Sequence, residues 1–218
     1  MIPRTIAATT HGRYLVVPPS NSEASSGLLV GFHGYAEPAE AAMERLQAIP
    51  DAAHWRLVAV QGLNRFYRGR STDVVASWMT REDRDLAIAD NASYVSAVID
   101  AALREWGNDG RLVLAGFSQG VAMAYRAAAA SARPVSGVIS LGGDVPPELD
   151  RSALAQIPAA LIGRGSRDDW YTPQMLETDA ARLREAGVAV TVVTLDAGHE
   201  WTAAFSEAAA NFLSRVRR

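Results

Sequence analysis

The sequence of 218 residues contains no cysteine and no lysine. Without cysteine there is no disulfide, no thiolate metal site and no cysteine nucleophile. Because all 21 basic residues are arginines, the chain also lacks the lysine of P-loop NTPases, a Schiff-base lysine and the lysine of Ser-x-x-Lys acyl enzymes. These absences exclude several enzyme classes before any motif is considered.

Long apolar runs and a large excess of one charge are missing as well. No stretch of 18 apolar residues occurs, so we predict no membrane span, and residues 1–10 lack the apolar core of a signal peptide. The net charge of −3 provides no basic field for nucleic acid. We therefore expect a cytoplasmic protein that acts on a small molecule, and the sequence leaves its oligomeric state open.

Length and composition favour one globular domain over residues 1–218. The chain is 49% hydrophobic and 21% charged, which argues against disorder, collagen and a pure coiled coil. A chain of this length buries roughly 70% of the surface that its unfolded form exposes. The core therefore needs neither a disulfide nor a metal ion.

Apolar runs alternate with segments of helical spacing along the chain. We predict strands at 13–17, 28–33, 56–60, 112–115, 135–141, 159–162 and 188–194, and helices at 38–49, 83–106, 119–131, 173–186 and 200–215. Residues 61–80 form a long connection that carries arginines and aromatic side chains. Strands that alternate with helices imply right-handed crossovers. The expected fold is an α/β, three-layer α/β/α sandwich around a mostly parallel sheet.

The sharpest motif is Gly116-Phe117-Ser118-Gln119-Gly120, which follows a predicted strand and begins a predicted helix. A serine on a tight strand-to-helix turn, with glycines two positions away on either side, is typical of a nucleophile elbow. The alternative interpretation is an ordinary tight turn with an exposed serine. The strand before the motif and the helix after it favour the elbow, with Ser118 as the nucleophile.

A serine nucleophile needs a base, and His199 is the best candidate. It lies after the last predicted strand and before the last helix, at the same edge of the sheet as Ser118. His33 ends a strand and is better explained as shaping a loop, while His11 and His54 lie on surface segments. The residues after His199 lack the His-Glu-x-x-His spacing, so we predict no metal and no other cofactor.

The acid that would orient the histidine has three candidates. Asp168 and Asp169 follow the strand at 159–162, and Asp144 follows the strand at 135–141. The chain order serine, aspartate, histidine is that of α/β-hydrolases, and it differs from the orders in chymotrypsin and subtilisin. All three aspartates stay open at this point.

An oxyanion hole needs two backbone N–H groups directed at one point. Gln119 follows the serine and begins a helix, so its N–H is one expected donor. The loop Phe32-His33-Gly34-Tyr35 follows a neighbouring strand, and we expect the second N–H from Tyr35. The alternative for this loop is a simple turn that ends the strand.

Together these motifs resemble the phospholipase/carboxylesterase family of α/β-hydrolases, which includes the acyl-protein thioesterases. The matching blocks are Phe32-His33-Gly34-Tyr35, Gly116-Phe117-Ser118-Gln119-Gly120, Gly165-Ser166-Arg167-Asp168 and Gly198-His199. The resemblance implies an α/β-hydrolase fold without a cap domain, no cofactor, and hydrolysis of carboxylic esters or thioesters. It also implies that Asp168 is the acid, beside Ser118 and His199, and that Tyr35 and Gln119 form the oxyanion hole.

Two departures from the family pattern bear on the substrate. Val121 replaces a frequent second glycine, and the residues after the acid, 169–173, are bulkier than usual. We therefore expect a distinct branch that cleaves short-chain acyl or aryl esters through an acyl-enzyme, with thioesters and lysophospholipids as further candidates. The alternative is a catalytically silent hydrolase fold that binds a small apolar ligand. Serine aminopeptidases and C–C hydrolases fit less well, because they usually carry cap or extra domains.

The substrate site is expected to be an open cleft, because the segment 142–158 is too short to form a cap. Apolar and aromatic side chains would form its walls, which suits an acyl or aryl group: Phe66, Tyr67, Trp78, Met79, Trp170, Tyr171 and Trp201. A core position is an equally good interpretation for Tyr171 and Trp201.

A group of arginines surrounds the long connection: Arg65, Arg68, Arg70, Arg81 and Arg84. These side chains would attract an anionic substrate or a phospholipid headgroup if they formed a rim. The alternative, which we favour, is a solvated face balanced by neighbouring acidic residues.

Overall fold

A computed structural model describes residues 1–20, 27–106 and 110–216 of the chain. Nine strands follow one another in these ranges: β1 (Arg13–Val17), β2 (Leu28–Phe32), β3 (Arg56–Gln61), β4 (Asn64–Tyr67), β5 (Val74–Ser77), β6 (Leu112–Phe117), β7 (Gly137–Leu141), β8 (Ala159–Gly165) and β9 (Ala189–Leu195). Seven of them form one sheet in the order β1-β3-β2-β6-β7-β8-β9. Strand β1 pairs antiparallel with β3, and all other neighbours in this sheet are parallel.

Helices cover both faces of this sheet. They are α1 (Ala39–Gln47), α2 (Arg84–Trp106), α3 (Gln119–Ala130), α4 (Arg151–Leu154), α5 (Pro173–Glu185) and α6 (Ala203–Val216). Helices α2, α3 and α5 pack in one core cluster and α1 and α6 in the other. Strand side chains alternate between the clusters, as Val30 and its neighbour Leu29 show. The predicted three-layer α/β/α sandwich with a mostly parallel sheet is confirmed.

The central strands are buried along their whole length. Every residue of β2, β3, β6 and β7 is buried, because helices cover both of their faces. This burial explains the nearly continuous apolar runs in the sequence. The edge strand β9 instead consists of exposed and half-buried residues, apart from the buried Leu195 at its end.

Helix α2 is long and apolar enough to meet a test of length and composition for a membrane-crossing helix. This is weak evidence, because the core helix of a soluble protein meets the same test. Val95, Val98 and Ala102 are buried and pack in the same cluster as α3. Asp90 and Asp100 interrupt the run, so the sequence shows no continuous apolar stretch there. One face of α2 therefore packs on the core, and the rest of the helix is exposed or half-buried.

The region between β3 and α2 differs from the sequence prediction. Residues 61–80 were predicted only as a long connection, and within them the structure has the antiparallel hairpin β4–β5. Burial alternates along β4, as in a strand with one covered face. The hairpin contacts the loop after β2 through the bridge between Glu37 and Ala76, so it shapes one side of the candidate site.

The segment between β7 and β8 contains the short helix α4 of four residues. Within the described ranges no large cap covers the carboxyl edge of the sheet. The residues that follow the parallel strands therefore meet at an open edge.

Candidate active site

Ser118 lies on the turn between β6 and α3, in a backbone conformation with φ 52° and ψ −124°. A non-glycine residue in this region costs about 1–3 kcal/mol and needs support from its surroundings. The turn is also too tight for side chains on either side of the serine. A Cβ on Gly116 would lie 2.5 Å from the Gly120 carbonyl oxygen, and one on Gly120 would lie 2.3 Å from the Phe32 carbonyl oxygen. Glycine at both positions lets the serine project from the sheet edge.

The structure brings Ser118, His199 and Asp168 together in one chain of hydrogen bonds. His199 Nε2 lies 2.8 Å from Ser118 Oγ, and Nδ1 lies 2.8 Å from Asp168 Oδ2. With Nδ1–H donating to the carboxylate, Nε2 is free to accept the serine proton. The Asp168 side chain is 1% exposed. Its second oxygen accepts the N–H groups of Trp170 and Tyr171 at 2.9 and 3.0 Å.

The two other candidate acids have no hydrogen bond to His199 among the described residues. Asp169 and Asp144 are both exposed. Asp169 is also not the cap of the following helix. Thr172 caps that helix, because its side chain accepts the N–H of Met175. The geometry singles out Asp168 among the three.

Arg164 holds the Asp168 loop and was missed by sequence reasoning. Its side chain is buried, and it donates to the carbonyl oxygens of Asp168 at 3.1 Å and Tyr171 at 2.9 Å. The one sequence signal is a charged residue inside an otherwise apolar strand. Such a residue must find partners when it is buried.

The backbone N–H groups of Tyr35 and Gln119 lie in the loop after β2 and at the start of α3. Among the described residues neither group has a hydrogen-bond partner, so both are available to an anion. The Gln119 side chain is fixed, since it accepts from the Trp78 N–H at 2.9 Å and donates to the Met79 carbonyl at 3.2 Å.

The loop that carries Tyr35 is held by a buried histidine. The Gly62 N–H donates to His33 Nε2 at 3.0 Å, so Nδ1 carries the proton and donates to the Gly34 carbonyl at 2.7 Å. Burial lowers the pKa of His33, which keeps its ring neutral. Trp78 Nε1 donates to the His33 carbonyl at 2.8 Å. His33 thus shapes the loop, as the sequence suggested.

A second support of this loop, Glu37 with Arg45, was also missed. The Oε2 and Oε1 atoms of Glu37 accept hydrogen bonds from Nη1 and Nη2 of Arg45, each at 2.6 Å. Oε2 also accepts the Gly34 N–H at 2.7 Å. The Arg45 guanidinium lies 4.1 Å from the centroid of the Phe117 ring, and that ring lies 5.0 Å from the His199 ring. The sequence marks this pair only as an acidic residue just before the first predicted helix and an arginine within that helix.

The family model for phospholipases and carboxylesterases matches residues 16–217. The chain belongs to the phospholipase/carboxylesterase family. The protein is therefore an esterase-type hydrolase.

Solved structures agree on the fold of this esterase. The chain is similar to esterase PE8 at 23% identity, with 95% of this chain and 100% of that chain covered and a TM-score of 0.74. A carboxylesterase from Mesorhizobium loti shares 19% identity over 93% and 94% of the two chains, with a TM-score of 0.75. The Bacillus cereus carboxylesterase shares 15% identity over 94% of each chain, with a TM-score of 0.73. At these identities the likeness shows the α/β-hydrolase fold.

The esterase has a cleft of about 190 Å³ beside Ser118 and His199. Three members of the predicted wall line it, namely Met79, Trp170 and Tyr171. Trp170 is 80% exposed at the rim, whereas the Tyr171 side chain reaches inward and donates to Asp179 at 3.0 Å. Tyr171 therefore belongs to both the cleft and the core.

Four other predicted wall residues do not line the cleft, which corrects the prediction. Trp78 is 1% exposed and stacks on the His33 ring at 4.9 Å. Trp201 packs edge-on against Phe205 at 4.7 Å. The remaining two lie on the β4–β5 hairpin: Phe66, which contacts the Tyr35 ring, and Tyr67, which is exposed. The sequence placed these aromatics near the site but did not show which way they point.

The arginines of the long connection divide into two groups. Arg65 and Arg68 donate to the backbone carbonyls of His11 and Ala36 at 2.9 and 3.0 Å, and Arg70 and Arg81 are exposed. Arg84 is half-buried and lines the cleft of the esterase. In the ranges that the structure describes, no group of three or more histidine, aspartate or glutamate side chains could hold a metal ion.

Proposed function

We propose that this protein is a serine carboxylesterase that cleaves short acyl or aryl esters through an acyl-enzyme. The observation that carries the proposal is the continuous chain of 2.8 Å hydrogen bonds from Ser118 Oγ through His199 to Asp168. A serine hydroxyl becomes nucleophilic when a neighbouring base takes its proton. The strained turn that holds Ser118 at the open sheet edge supports the same role.

The proposed reaction has two steps. Ser118 Oγ attacks the ester carbonyl carbon while its proton passes to His199 Nε2, and the tetrahedral oxyanion accepts hydrogen bonds from the Tyr35 and Gln119 N–H groups. Collapse breaks the bond to the alcohol, which takes the proton from His199. Water then attacks the acyl-enzyme by the same route and releases the acid. Asp168 orients the ring and stabilises the imidazolium formed in each step.

Two features support small esters as substrates. The cleft volume of about 190 Å³ lies below the roughly 300–1,000 Å³ of sites for drug-sized ligands. The cleft also combines an exposed aromatic side chain, Trp170, with the available N–H group of Gln119. Thioesters and lysophospholipids share the acyl carbonyl and belong in the same substrate panel.

The decisive experiment is the Ser118→Ala variant. Loss of the nucleophile is expected to lower kcat by about 10⁴- to 10⁶-fold and to abolish labelling by a fluorophosphonate probe. Ser166→Ala changes an exposed serine of the same loop as Asp168 and is the matched control. It should keep the wild-type kcat and, because Ser118 is intact, the labelling by the probe. Retention of more than a tenth of the activity in Ser118→Ala would contradict the serine mechanism. A wild type that neither labels nor cleaves any ester would favour the silent binding protein instead.

A further inference from the structure

Two arginines line the same cleft as Ser118. Arg84 at the start of α2 and Arg126 on α3 both line the cleft. The Arg126 side chain is 6% exposed. Its Nε and Nη2 donate to one oxygen of Glu148 at 2.7 and 2.5 Å, while Nη1 contacts the Met79 sulfur at 3.8 Å. Sulfur is a weak acceptor, so one edge of this buried guanidinium lacks an oxygen partner among the described residues.

Arg84 adds a second positive charge that has no ion pair within the described ranges. Its charge acts on Glu148. Burial alone would raise the pKa of Glu148, but the hydrogen bonds that it accepts and the charges of Arg126 and Arg84 hold that pKa below its ordinary value. Two guanidinium groups therefore share one carboxylate, and together these side chains carry an excess of one positive charge.

The acidic residue that lines the cleft is not paired with these arginines. Asp144 is exposed and forms no ion pair with either arginine among the described residues. Its charge acts on Tyr171 and Asp179. The cleft is therefore lined by two arginines and by one carboxylate that is not paired with them.

We infer that Arg84, together with Nη1 of Arg126, binds a carboxylate or phosphate group of the substrate, so that the preferred substrate is an anionic ester. Guanidinium groups bind such oxyanions through paired charge-assisted hydrogen bonds. This inference rests on the proposed esterase function and adds to it the charge of the substrate. It also separates Arg84 from the other arginines of the connection, which bind backbone carbonyls or face solvent.

The test compares esters that differ in one charged group. On the acyl side, mono-4-nitrophenyl adipate is compared with 4-nitrophenyl hexanoate. On the alcohol side, 4-acetoxybenzoate and 4-acetoxyphenyl phosphate are each compared with methyl 4-acetoxybenzoate. For each pair the measured quantity is the ratio of kcat/KM for the anionic ester to kcat/KM for the neutral one.

Three variants identify the source of any preference. We expect Arg84→Gln to lower the anionic-to-neutral ratio about tenfold in at least one pair, as expected for loss of a charge-assisted hydrogen bond. Glu148→Gln should raise the same ratio, because it removes the carboxylate that competes for Arg126. Arg81→Gln, an exposed arginine outside the cleft, is the matched control and should leave every ratio within about twofold of the wild type.

The outcomes separate this inference from the proposed function. A ratio that falls in Arg84→Gln but not in Arg81→Gln supports it, and the pair affected identifies a carboxylate on the acyl side, a carboxylate on the alcohol side, or a phosphate. Unchanged ratios in all pairs, with the neutral esters still cleaved, would overturn the anion site and leave the esterase proposal intact. If no ester of any charge is cleaved, the proposed function itself fails.

Discussion

At the scale of single residues, backbone hydrogen bonds on both sides hold Ser118 in its strained conformation. The Ser118 N–H donates to the Leu141 carbonyl at 2.9 Å, and the Ser118 carbonyl accepts the Val121 N–H at 3.0 Å. A Cβ on Gly143 would lie 2.3 Å from the Ser118 carbonyl oxygen, so the loop after β7 also packs closely against the turn. Strained backbone persists where its surroundings over-determine it. The hydroxyl is therefore in position before substrate arrives.

The acid provides the sharpest prediction at this scale. In Asp168→Asn, the amide cannot hold His199 in the tautomer that leaves Nε2 free for the serine, so we expect kcat to fall by up to about 10⁴-fold. The measurement is kcat on one short-chain ester at pH 8, after circular dichroism has shown that the variant is folded.

Two neighbouring aspartates serve as controls for Asp168→Asn. Asp169→Asn and Asp144→Asn remove exposed carboxylates that do not contact the His199 ring, so each should lose less than about tenfold in kcat. If either control were the inactive variant, the hydrogen bond between Asp168 and His199 would not be the functional one. The serine mechanism would survive that result.

The sequence was informative where one local pattern sets the position of a residue. Ser118 lies in a five-residue motif between a strand and a helix, and His199 directly follows a strand, so both could be placed at the sheet edge. Trp78 could not be placed, because its direction depends on a hairpin that the sequence did not reveal. Glu37 and Arg45 escaped notice, since their contact depends on how the loop after β2 folds back on α1.

At the scale of elements, the loop between β2 and α1 is held by three neighbours. Strand β5 exchanges two backbone hydrogen bonds of 3.0 Å with it, through Ala76 to Ala36 and Glu37. Helix α1 provides Arg45, and β3 is followed by Gly62, which donates to His33. The sequence predicted only a long connection where the hairpin β4–β5 lies, because each of its strands has only four residues. It nevertheless fixes the loop that carries the Tyr35 N–H.

The support of this loop leads to a prediction for Glu37→Gln. The neutral side chain loses the paired contact with Arg45, so the Tyr35 N–H is less well positioned. We expect kcat to fall about tenfold while KM stays within about twofold, because the oxyanion donor that we propose acts mainly in the transition state. Steady-state kinetics on a short-chain ester, well below the unfolding temperature, separates the two parameters.

Glu37 also gives the wild type a pH-dependent contribution to stability that the Glu37→Gln variant lacks. Burial alone would raise the pKa of Glu37, but the hydrogen bonds and charge of Arg45 and the Gly34 N–H lower it overall. An acid whose pKa is lower in the folded state stabilises the fold above its ordinary pKa, and this stabilisation is lost as pH falls through the lowered value. We therefore expect the free energy of unfolding of the wild type to exceed that of Glu37→Gln above the ordinary pKa of glutamate. The difference should shrink as pH falls through the lowered pKa of Glu37.

Glu40→Gln is the matched control for the prediction on Glu37. It breaks an ion pair with Arg13 in which both side chains are more than 40% exposed, and such pairs contribute about 0–1 kcal/mol. We expect unchanged kcat and KM in this variant. Equal kinetic losses in both variants would mean that the glutamates act through helix α1 in general and not through the loop.

At the scale of the whole molecule, the parallel sheet explains why residues far apart in sequence meet. Tyr35, Ser118, Asp168 and His199 follow β2, β6, β8 and β9, and parallel strands bring their carboxyl ends to one edge. Ligands of open α/β sheets bind outside that edge. The alternation of strands with helices could be predicted from the sequence, so the shared edge could be as well. The size and charge of the cleft depend on loops whose shape the sequence does not encode locally.

The architecture also sets the length of substrate that the cleft can hold. The segment between β7 and β8 carries a helix of four residues and no large cap among the described residues, and the cleft measures about 190 Å³. A long acyl chain would therefore extend into water, where its additional methylenes gain no burial energy, whereas each buried methylene would gain about 0.8 kcal/mol. We expect kcat/KM for 4-nitrophenyl esters to be highest at C2 to C4 and to fall at least about tenfold by C12.

The same open cleft predicts how the rate responds to micelles. Because no lid covers the cleft among the described residues, the rate should not rise at the micelle threshold of the longer esters. The measurement is the full series from C2 to C12, below and above that threshold, with the same detergent added to the short esters as a control. Faster cleavage of C12 than C4, or a jump in rate at the threshold, would mean that residues of the rim close over long chains and that the open cleft is not the binding form.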